Sequence, residues 1–127
     1  MRPANLFLTK DGVLKLGYYG LTTQAECYSI KGTNCEGVRS FGPEVFKGLY
    51  EIKSDVWSLG VALLEMMGIR PYYWYEDNKL PFVVGGFGGP FDKGAIESRE
   101  LADFLKKCFW EVRVRWSVNE LITVSML

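Results

Sequence analysis

The stretch SDVWSLGVALLEMMG, Ser54 to Gly68, decides how the rest of the chain is arranged. Its apolar side chains follow the helical period on one face but also cover the others. Those on the first face are Val56, Gly60, Leu63, Leu64 and Met67, and those elsewhere are Trp57, Leu59, Val61 and Met66. A helix that is apolar nearly all round is buried. With Ser54 or Asp55 as a cap and Gly68 as the end, the stretch predicts a central helix over about residues 54–67.

A hairpin is indicated before this helix. Two short apolar runs, Leu6 to Leu8 and Val13 to Leu16, are separated by TKDG. Asp11-Gly12 is a strong turn signal because glycine adopts positive φ without penalty. We therefore predict a β-hairpin over about residues 6–16. The polar residues 21–40 follow without a period and are interpreted as one long loop, a length typical of functional or mobile segments.

Two further helices are indicated after the central one. The first covers about residues 98–109 and the second about residues 117–125, where Ser117 and Glu120 have capping-box spacing. The stripe of the first consists of Leu101, Phe104, Leu105 and Cys108. One hairpin followed by helices predicts an α+β fold that is mostly α.

The connection between these helices is rich in aromatic residues and glycine. We expect YYWY, Tyr72 to Tyr75, to pack against helices; the alternative is an exposed contact surface for a partner. The run GGFGG at 85–89 is not followed by the lysine and hydroxyl residue of a phosphate-binding loop, so we interpret it as a flexible connector.

Composition limits the function. The chain has 127 residues, enough for one modest domain, and 15 basic residues balance 15 acidic ones, which gives no electrostatic case for nucleic acid or an anionic membrane as a partner. The absence of histidine excludes Ser-His and Cys-His nucleophiles. Three cysteines at no metal-like spacing and an N-terminus without an apolar signal core favour reduced thiols and a cytoplasmic location.

Five segments, taken in order, resemble signatures of the C-terminal lobe of eukaryotic protein kinases. RPAN at 2–5 resembles the end of the catalytic loop, and GVLKLGYYGL at 12–21 resembles the strand that leads into the Asp-Phe-Gly motif. GVRSFGPEVF at 37–46 resembles the end of an activation segment. KSDVWSLGVALLEM at 53–66 is similar to the central-helix signature, and CFWEVRVRWSVNEL at 108–121 resembles the last signature of the lobe.

The resemblance implies a partial protein kinase domain over residues 1–127. The activation segment would cover about 18–44, the central helix about 54–67 and the final helices about 98–125. Pro3 favours the serine/threonine type, and GVRSF and RWSVNEL are most similar to the MAP-kinase-cascade (sterile-type) groups. The family's glycine-rich loop, strand lysine and His-Arg-Asp triplet have no counterpart in these residues.

The resemblance also assigns a degenerate metal site. Asn5 matches the asparagine that holds one Mg²⁺, and Tyr18 stands where the metal-bridging aspartate would be when Gly20 is aligned with the motif glycine. Tyr19 takes the place of the motif phenylalanine. A phenol with a pKa near ~10 stays neutral at physiological pH, whereas Mg²⁺ prefers anionic oxygen. We therefore expect no cofactor to be bound by this chain alone, although an intact family member would use ATP and Mg²⁺.

Four other residues match positions of the family. Arg2 stands where a lysine faces the transferring phosphate and would present a fork to it; the alternative is a solvated arginine. Asp55 resembles the aspartate that accepts N–H bonds from the catalytic loop, with capping of its own helix as the alternative. Glu44 and Arg115 match a pair that links the activation segment to the end of the lobe, and we predict a partly buried ion pair between them.

Hydroxyl groups in the expected activation segment are candidates for phosphorylation, which commonly acts through arginine pairing. For each of them an ordinary polar loop residue is the alternative. They are Thr22, Thr23, Ser29, Thr33 and Ser40.

Three functions remain open from the sequence. The first is a catalytically impaired, pseudokinase-like domain that regulates or scaffolds protein partners in a kinase cascade, with no nucleic-acid or membrane partner. The second is a fragment of an active ATP-dependent serine/threonine kinase. The third is a truncated product without a settled function.

Overall fold

The computed structural model describes residues 1–17, 38–84, 90–91 and 93–123. Two antiparallel strands come first and helices follow, as predicted. The strands are β1 (Leu6–Leu8) and β2 (Leu14–Leu16), and the helices are α1 (Pro43–Phe46), α2 (Ser54–Met66), α3 (Leu80–Val83), α4 (Arg99–Cys108) and α5 (Val118–Ile122). Short 3₁₀ turns cover Pro3–Asn5, Val38–Ser40, Asp77–Lys79 and Lys93–Ala95.

The hairpin forms where the sequence predicts it. Leu6 pairs with Leu16 and Leu8 with Leu14. Gly12 has φ +79°, and the Val13 N–H donates to the Thr9 hydroxyl at 2.9 Å, which closes the turn. β2 begins one residue later than the predicted run because Val13 belongs to this turn.

Helix α2 is the centre of the described structure. Trp57 and Leu64 are buried, and the helix contacts α4, the Pro3–Asn5 turn and the Val38–Ser40 turn. Gly68, with φ +83°, follows its end, and the Ile69 N–H donates to the Leu64 carbonyl at 2.9 Å, a Schellman arrangement. The predicted central helix is therefore confirmed.

The predicted cap of α2 is wrong. Lys53 is the N-cap, its backbone is already helical, and no side chain caps the helix. A capping side chain needs an extended backbone at its own residue. Here the chain turns one step earlier, because the Ser54 N–H donates to the Glu51 carbonyl at 2.9 Å, so neither Ser54 nor Asp55 has that conformation.

The second predicted helix corresponds to α4, within one residue at each end. Ser98 caps it by accepting the Leu101 N–H at 3.2 Å. Its predicted apolar stripe faces the core: Phe104, Leu105 and Cys108 are buried, and Leu101 packs against the cluster that contains Leu105.

The third predicted helix is present but short. The capping box of Ser117 and Glu120 forms on both sides, with the Ser117 N–H donating to Glu120 Oε2 at 2.6 Å. The helix ends at Ile122, before the predicted residue 125, and residues 124–127 lie outside the described part of the chain.

Two apolar clusters form the core. The larger joins α2 to α1 and the residues before it, to α3 and to the end of α4. The smaller consists of Val56, Phe104, Cys108 and Leu121, where α2, α4 and α5 meet. Among the described residues, no helix has both the length and the apolar character needed to cross a bilayer.

The packing predicted for YYWY is wrong for three of its four residues. Tyr73, Trp74 and Tyr75 are 55%, 88% and 41% exposed, and only Tyr72 packs against the core. Tyr72 has φ +59°, a left-handed backbone that turns the following residues away from the core. The run GGFGG at 85–89 lies outside the described residues.

Candidate functional site

The segment that resembles a catalytic loop is a single 3₁₀ turn, Pro3–Asn5, held against α2. The Asn5 N–H donates to the Arg2 carbonyl at 3.0 Å, and the Asn5 carbonyl accepts the Gly17 N–H at 2.8 Å. This second bond continues the hairpin ladder past Leu6 and Leu16. Asn5 therefore lies opposite Gly17, one residue before Tyr18.

The Phe7 ring lies directly over Gly17 in this arrangement. A Cβ atom built on it would lie 2.2 Å from the Phe7 ring, so a side chain here requires that ring to move. The backbone thus places the asparagine position and the approach to GYYG side by side. Tyr18, Tyr19 and Gly20 themselves lie outside the described residues, and their assigned roles stay predictions.

The donor set fits Mg²⁺ poorly. Asn5 offers one neutral amide oxygen, and the residue that the resemblance matches to the bridging position is a tyrosine. Mg²⁺ in kinase sites is held by at least one carboxylate as well as substrate phosphates. In the described part of the chain, no group of three or more His, Cys, Asp or Glu side chains is placed to hold a metal ion.

Arg2 is half-buried beside α2. Burial raises the pKa of the Glu65 carboxyl, and the positive charges of Arg2 and Arg70 act in the opposite direction. Arg2 therefore lies within electrostatic reach of a carboxylate of this chain. Its predicted role towards phosphate remains a prediction.

Asp55 accepts a hydrogen bond from the Tyr50 hydroxyl at 2.5 Å. Burial and then the Asp55 carboxylate raise the pKa of the Tyr50 phenol above its ordinary value. Asp55 does not cap α2, which has no side-chain cap. Its hydrogen-bond donor is a tyrosine five residues earlier, which sequence reasoning missed.

Glu44 and Arg115 form the predicted ion pair, and it is fully rather than partly buried. Arg115 is 0% exposed and Glu44 is 5% exposed. Arg115 Nη1 is 2.6 Å from Glu44 Oε1, and Nη2 is 3.0 Å from Oε2. The two parallel bonds fit the planar fork of a guanidinium to a carboxylate.

Arg115 has further partners around this pair. Its Nη1 also donates to the Lys53 carbonyl at 2.8 Å, its Nε donates to the Trp110 carbonyl at 3.0 Å, and its guanidinium lies 5.1 Å from the centre of the Trp57 ring. One side chain thus connects α1, the start of α2 and the turn before α5. Four of its five N–H donors have acceptors, and such extensive hydrogen bonding is what a buried charge requires.

The titration of Glu44 reflects these contacts. Burial raises the pKa of Glu44, but hydrogen bonds from Arg115 and from the backbone, together with the arginine charge, outweigh burial and leave the pKa below its ordinary value. The carboxylate is therefore ionised in the folded protein at neutral pH.

Two contacts of the VRSF segment were not predicted. Arg39 donates to the carbonyls of Tyr72 and Tyr75, at 2.5 and 2.7 Å, and so holds the exposed aromatic turn. Ser58 donates to the Ser40 carbonyl at 2.8 Å. Ser40 is buried, which removes it from the candidate phosphorylation sites, and the other four candidates lie outside the described residues.

Comparison with known proteins agrees with this geometry. The profile of the protein kinase domain matches residues 1–125. Human mitogen-activated protein kinase kinase kinase 4 is 32% identical over 140 aligned residues, which cover 100% of this chain and 9% of the relative. Human mitogen-activated protein kinase kinase kinase 3 is 31% identical over 129, covering 97% of this chain and 21% of the relative.

A third relative is the serine/threonine-protein kinase ppk11 of Schizosaccharomyces pombe, 31% identical over 111 residues, which cover 85% of this chain and 36% of that protein. The chain thus spans between 9% and 36% of the length of these relatives. The family and the group predicted from the sequence are both confirmed. The chain belongs to the eukaryotic protein kinase family, as part of a kinase domain that resembles the mitogen-activated protein kinase kinase kinases.

Proposed function

We propose that this chain is a serine/threonine-kinase-like lobe that regulates or scaffolds protein partners in a kinase cascade and does not itself transfer phosphate. A contrast between two sites carries the proposal. The buried ion pair between Glu44 and Arg115, which links parts of the lobe, is formed, whereas Tyr18 stands at the position matched to the bridging metal ligand. A domain that keeps its structural ion pair but lacks a metal ligand is suited to binding partners rather than to catalysis.

The chemical requirements of phosphoryl transfer support the proposal that this chain does not itself transfer phosphate. Phosphoryl transfer by kinases depends on Mg²⁺ to neutralise charge on the phosphates and on an aspartate to orient the substrate hydroxyl. Bound Mg²⁺-ATP would supply the phosphoryl group, and Asn5 is the one residue of this chain matched to holding the metal. The chain has no histidine, so it contains no His-Arg-Asp triplet.

The relatives support the partner class. Two of them are mitogen-activated protein kinase kinase kinases, so a kinase cascade is the context proposed for this chain. A cytoplasmic location is part of the same proposal, and the free buried thiol of Cys108 is consistent with a reducing compartment.

A second candidate is that the chain is part of an active serine/threonine kinase. The placement of Asn5 opposite Gly17 favours it, because the backbone on which a metal loop would be built is intact. In that case a divergent ligand set would have to replace the aspartate at Tyr18.

A phosphotransfer assay separates the two candidates. The chain is incubated with Mg²⁺ and radiolabelled ATP and a generic serine/threonine substrate, beside the Tyr18→Asp variant. We expect no incorporation above the blank for either, since the aspartate alone does not restore the catalytic base. Incorporation that disappears with chelator would establish the second candidate and overturn the first.

The regulatory half needs its own measurement. Purified chain is added to active human mitogen-activated protein kinase kinase kinase 3, and phosphorylation of that kinase's substrate is followed. A change that depends on the concentration of folded chain supports the proposal, and heat-unfolded chain serves as control. An unchanged rate over this kinase and its group members would contradict a regulatory role.

A further inference from the structure

A surface groove of about 520 Å³ lies between two loops of the lobe, one just before α2 and the other between α4 and α5. It is lined by Tyr50, Glu51, Ile52, Lys53, Val112 and Arg113. Ile52 is 86% exposed, and the adjoining Leu49 and Val114 are 57% and 63% exposed. Single exposed apolar residues are ordinary, but several around one concavity are typical of a binding surface.

Both walls of the groove are fixed by Arg115. Its Nη1 holds the Lys53 carbonyl of one wall at 2.8 Å. Its Nε holds the Trp110 carbonyl at 3.0 Å, at the start of the loop that forms the other wall. The Val114 N–H donates to the Glu111 carbonyl at 3.0 Å and closes that loop. A groove with fixed walls costs a ligand little ordering free energy on binding.

The side chains that line the groove include two cations, Lys53 and Arg113, and one carboxylate, Glu51. Within the described residues, neither the Lys53 ammonium nor the Arg113 guanidinium has a carboxylate within salt-bridge distance. Two further acids lie nearby and keep their charge: Glu111 Oε2 accepts the Arg113 backbone N–H at 3.2 Å, and Glu120, whose Oε2 accepts the Ser117 N–H at 2.6 Å, lies within electrostatic range of Lys53. Glu51 is the one acid in the groove lining.

We propose that this groove binds an acidic segment of a protein partner, with an apolar side chain of that segment on Ile52 and Val112 and flanking carboxylates paired with Lys53 and Arg113. The inference rests on the proposed scaffolding function and gives it a partner chemistry. It also gives the buried ion pair a role in binding, because Arg115 holds the backbone of both walls of the groove.

A second copy of this chain is the competing occupant. Its exposed Trp74, two positions before Glu76, offers an apolar side chain near a carboxylate in the sequence. Such a contact would be head-to-tail, joining one surface to a different one, and would generate an open chain of molecules unless the rotation closed a ring. A separate partner avoids that outcome.

The test uses short fluorescein-labelled peptides that carry one central Leu, Ile, Phe or Trp flanked by Glu, with Gln-flanked copies as controls. Binding to the whole chain is followed by fluorescence anisotropy. We expect Glu-flanked peptides to bind more tightly than their Gln-flanked copies, and more weakly as salt is added. The Lys53→Gln/Arg113→Gln variant should lose affinity roughly tenfold, as expected for two exposed ion pairs.

Matched variants identify the site. Ile52→Ser should also weaken binding, since it removes an exposed side chain from the groove without touching the core. Lys10→Gln/Lys106→Gln neutralises two exposed lysines elsewhere and should leave affinity unchanged. The Lys53 variant keeps the backbone carbonyl that Arg115 holds, and circular dichroism checks that each variant is folded.

Three results would overturn the inference. These are binding of no peptide in the set, equal affinity of the groove and control variants, and concentration-dependent assembly in sedimentation that Trp74→Ser abolishes. The phosphotransfer assay decides the proposed function independently, so a chain that is inactive and binds no acidic peptide would refute the groove alone.

Discussion

Arg115 and Glu44 face each other through two parallel hydrogen bonds of 2.6 and 3.0 Å, although they are 71 positions apart in the chain. Neither side chain has meaningful contact with water, and two further N–H donors of Arg115 reach the carbonyls of Lys53 and Trp110. The pair therefore joins three parts of the lobe that no apolar cluster joins by itself.

The first prediction concerns the stability that depends on this pair. Arg115→Met and Glu44→Gln should each lower the free energy of unfolding by about 3–5 kcal/mol, because each leaves a buried partner unsatisfied. The double variant should lose less than the sum, with a coupling above roughly 1.5 kcal/mol, beyond the range of exposed pairs. Denaturant unfolding of the four proteins measures both quantities.

The control is a pair on the surface. Asp103 and Lys107 form an ion pair of 2.6 Å on α4, and the Asp103 side chain is 56% exposed. Asp103→Asn should change stability by no more than about 0.5 kcal/mol. A coupling near zero between Glu44 and Arg115 would mean that the buried geometry contributes no stability.

The second prediction is a pH dependence. The pKa of Glu44 is lower in the folded protein than its ordinary value of 4.5. The stabilisation from the ionised form is therefore complete above about pH 4.5 and is lost as the pH falls through the lowered folded pKa. Unfolding free energies measured between neutral pH and pH 3 should fall on acidification.

The fall of the unfolding free energy on acidification must be assigned to Glu44 by comparison with a variant. Burial raises the pKa of Glu65, so protonation of that residue favours the folded state and acts in the opposite direction. The Glu44→Gln variant retains Glu65 and should show a shallower acid-induced loss than the natural chain. Equal slopes in the two proteins would contradict the assignment.

The third prediction tests the closest approach of two helices. A Cβ atom on Gly60 of α2 would lie 2.7 Å from the Phe109 ring and 2.9 Å from the Cys108 Cβ. Phe109 is itself fixed by the Trp57 ring, 5.0 Å away edge to face. Gly60→Ala should cost about 1–3 kcal/mol from overpacking, although alanine favours a helix by up to ~1 kcal/mol.

The matched control lies on the same helix. Met66 is 62% exposed, so Met66→Ala should stay within about 0.5 kcal/mol of the natural chain in denaturant unfolding. A stabilised Gly60→Ala protein would show that α2 and the end of α4 can separate without cost.

Much of this architecture was predictable from the sequence, for reasons that differ between elements. Helix α2 follows from apolar residues on all faces, and α4 from a stripe at 3.6-residue spacing. The Glu44–Arg115 pair cannot be found from local patterns, because no period relates residues 71 positions apart. It was predicted from the order of family motifs, which carries information about the whole fold.

The errors have a common cause. Whether Tyr73 to Tyr75 face the core depends on the backbone of Tyr72. Its positive φ could not be predicted from the sequence, because a bulky aromatic residue rarely adopts this conformation. The bonds from Arg39 that hold this turn come from 33 and 36 positions away. The capping role predicted for Asp55 failed similarly, since Tyr50 engages it from a loop whose path the sequence does not specify.

The fourth prediction concerns that loop. Tyr50→Phe removes the hydroxyl that donates to Asp55 and leaves the ring in place. Hydrogen bonds to charged groups contribute about 1.5–3 kcal/mol, and partial exposure of this pair should reduce the loss to about 1 kcal/mol. Tyr73→Phe is the matched control for thermal unfolding, because Tyr73 is 55% exposed and its hydroxyl bonds to none of the described residues. Equal melting temperatures for the two variants would show that the Tyr50 bond adds no stability.

The fifth prediction uses Cys108 as a reporter of opening. Burial raises the pKa of its thiol to about 12, and the nearby Arg115 charge offsets this only in part. The thiolate is the form that reacts with alkylating agents, so a thiol that is 0% exposed and protonated at pH 8 should resist iodoacetamide in the folded chain. Peptide mapping by mass spectrometry gives the labelling rate at this one residue.

The rate should rise steeply in denaturant and in the Arg115→Met variant, in step with the fraction unfolded. Asp103→Asn should label as slowly as the natural chain. Rapid labelling of the native chain at pH 8 would mean that the cluster of Val56, Phe104, Cys108 and Leu121 opens without global unfolding, and α5 would then be the element that detaches.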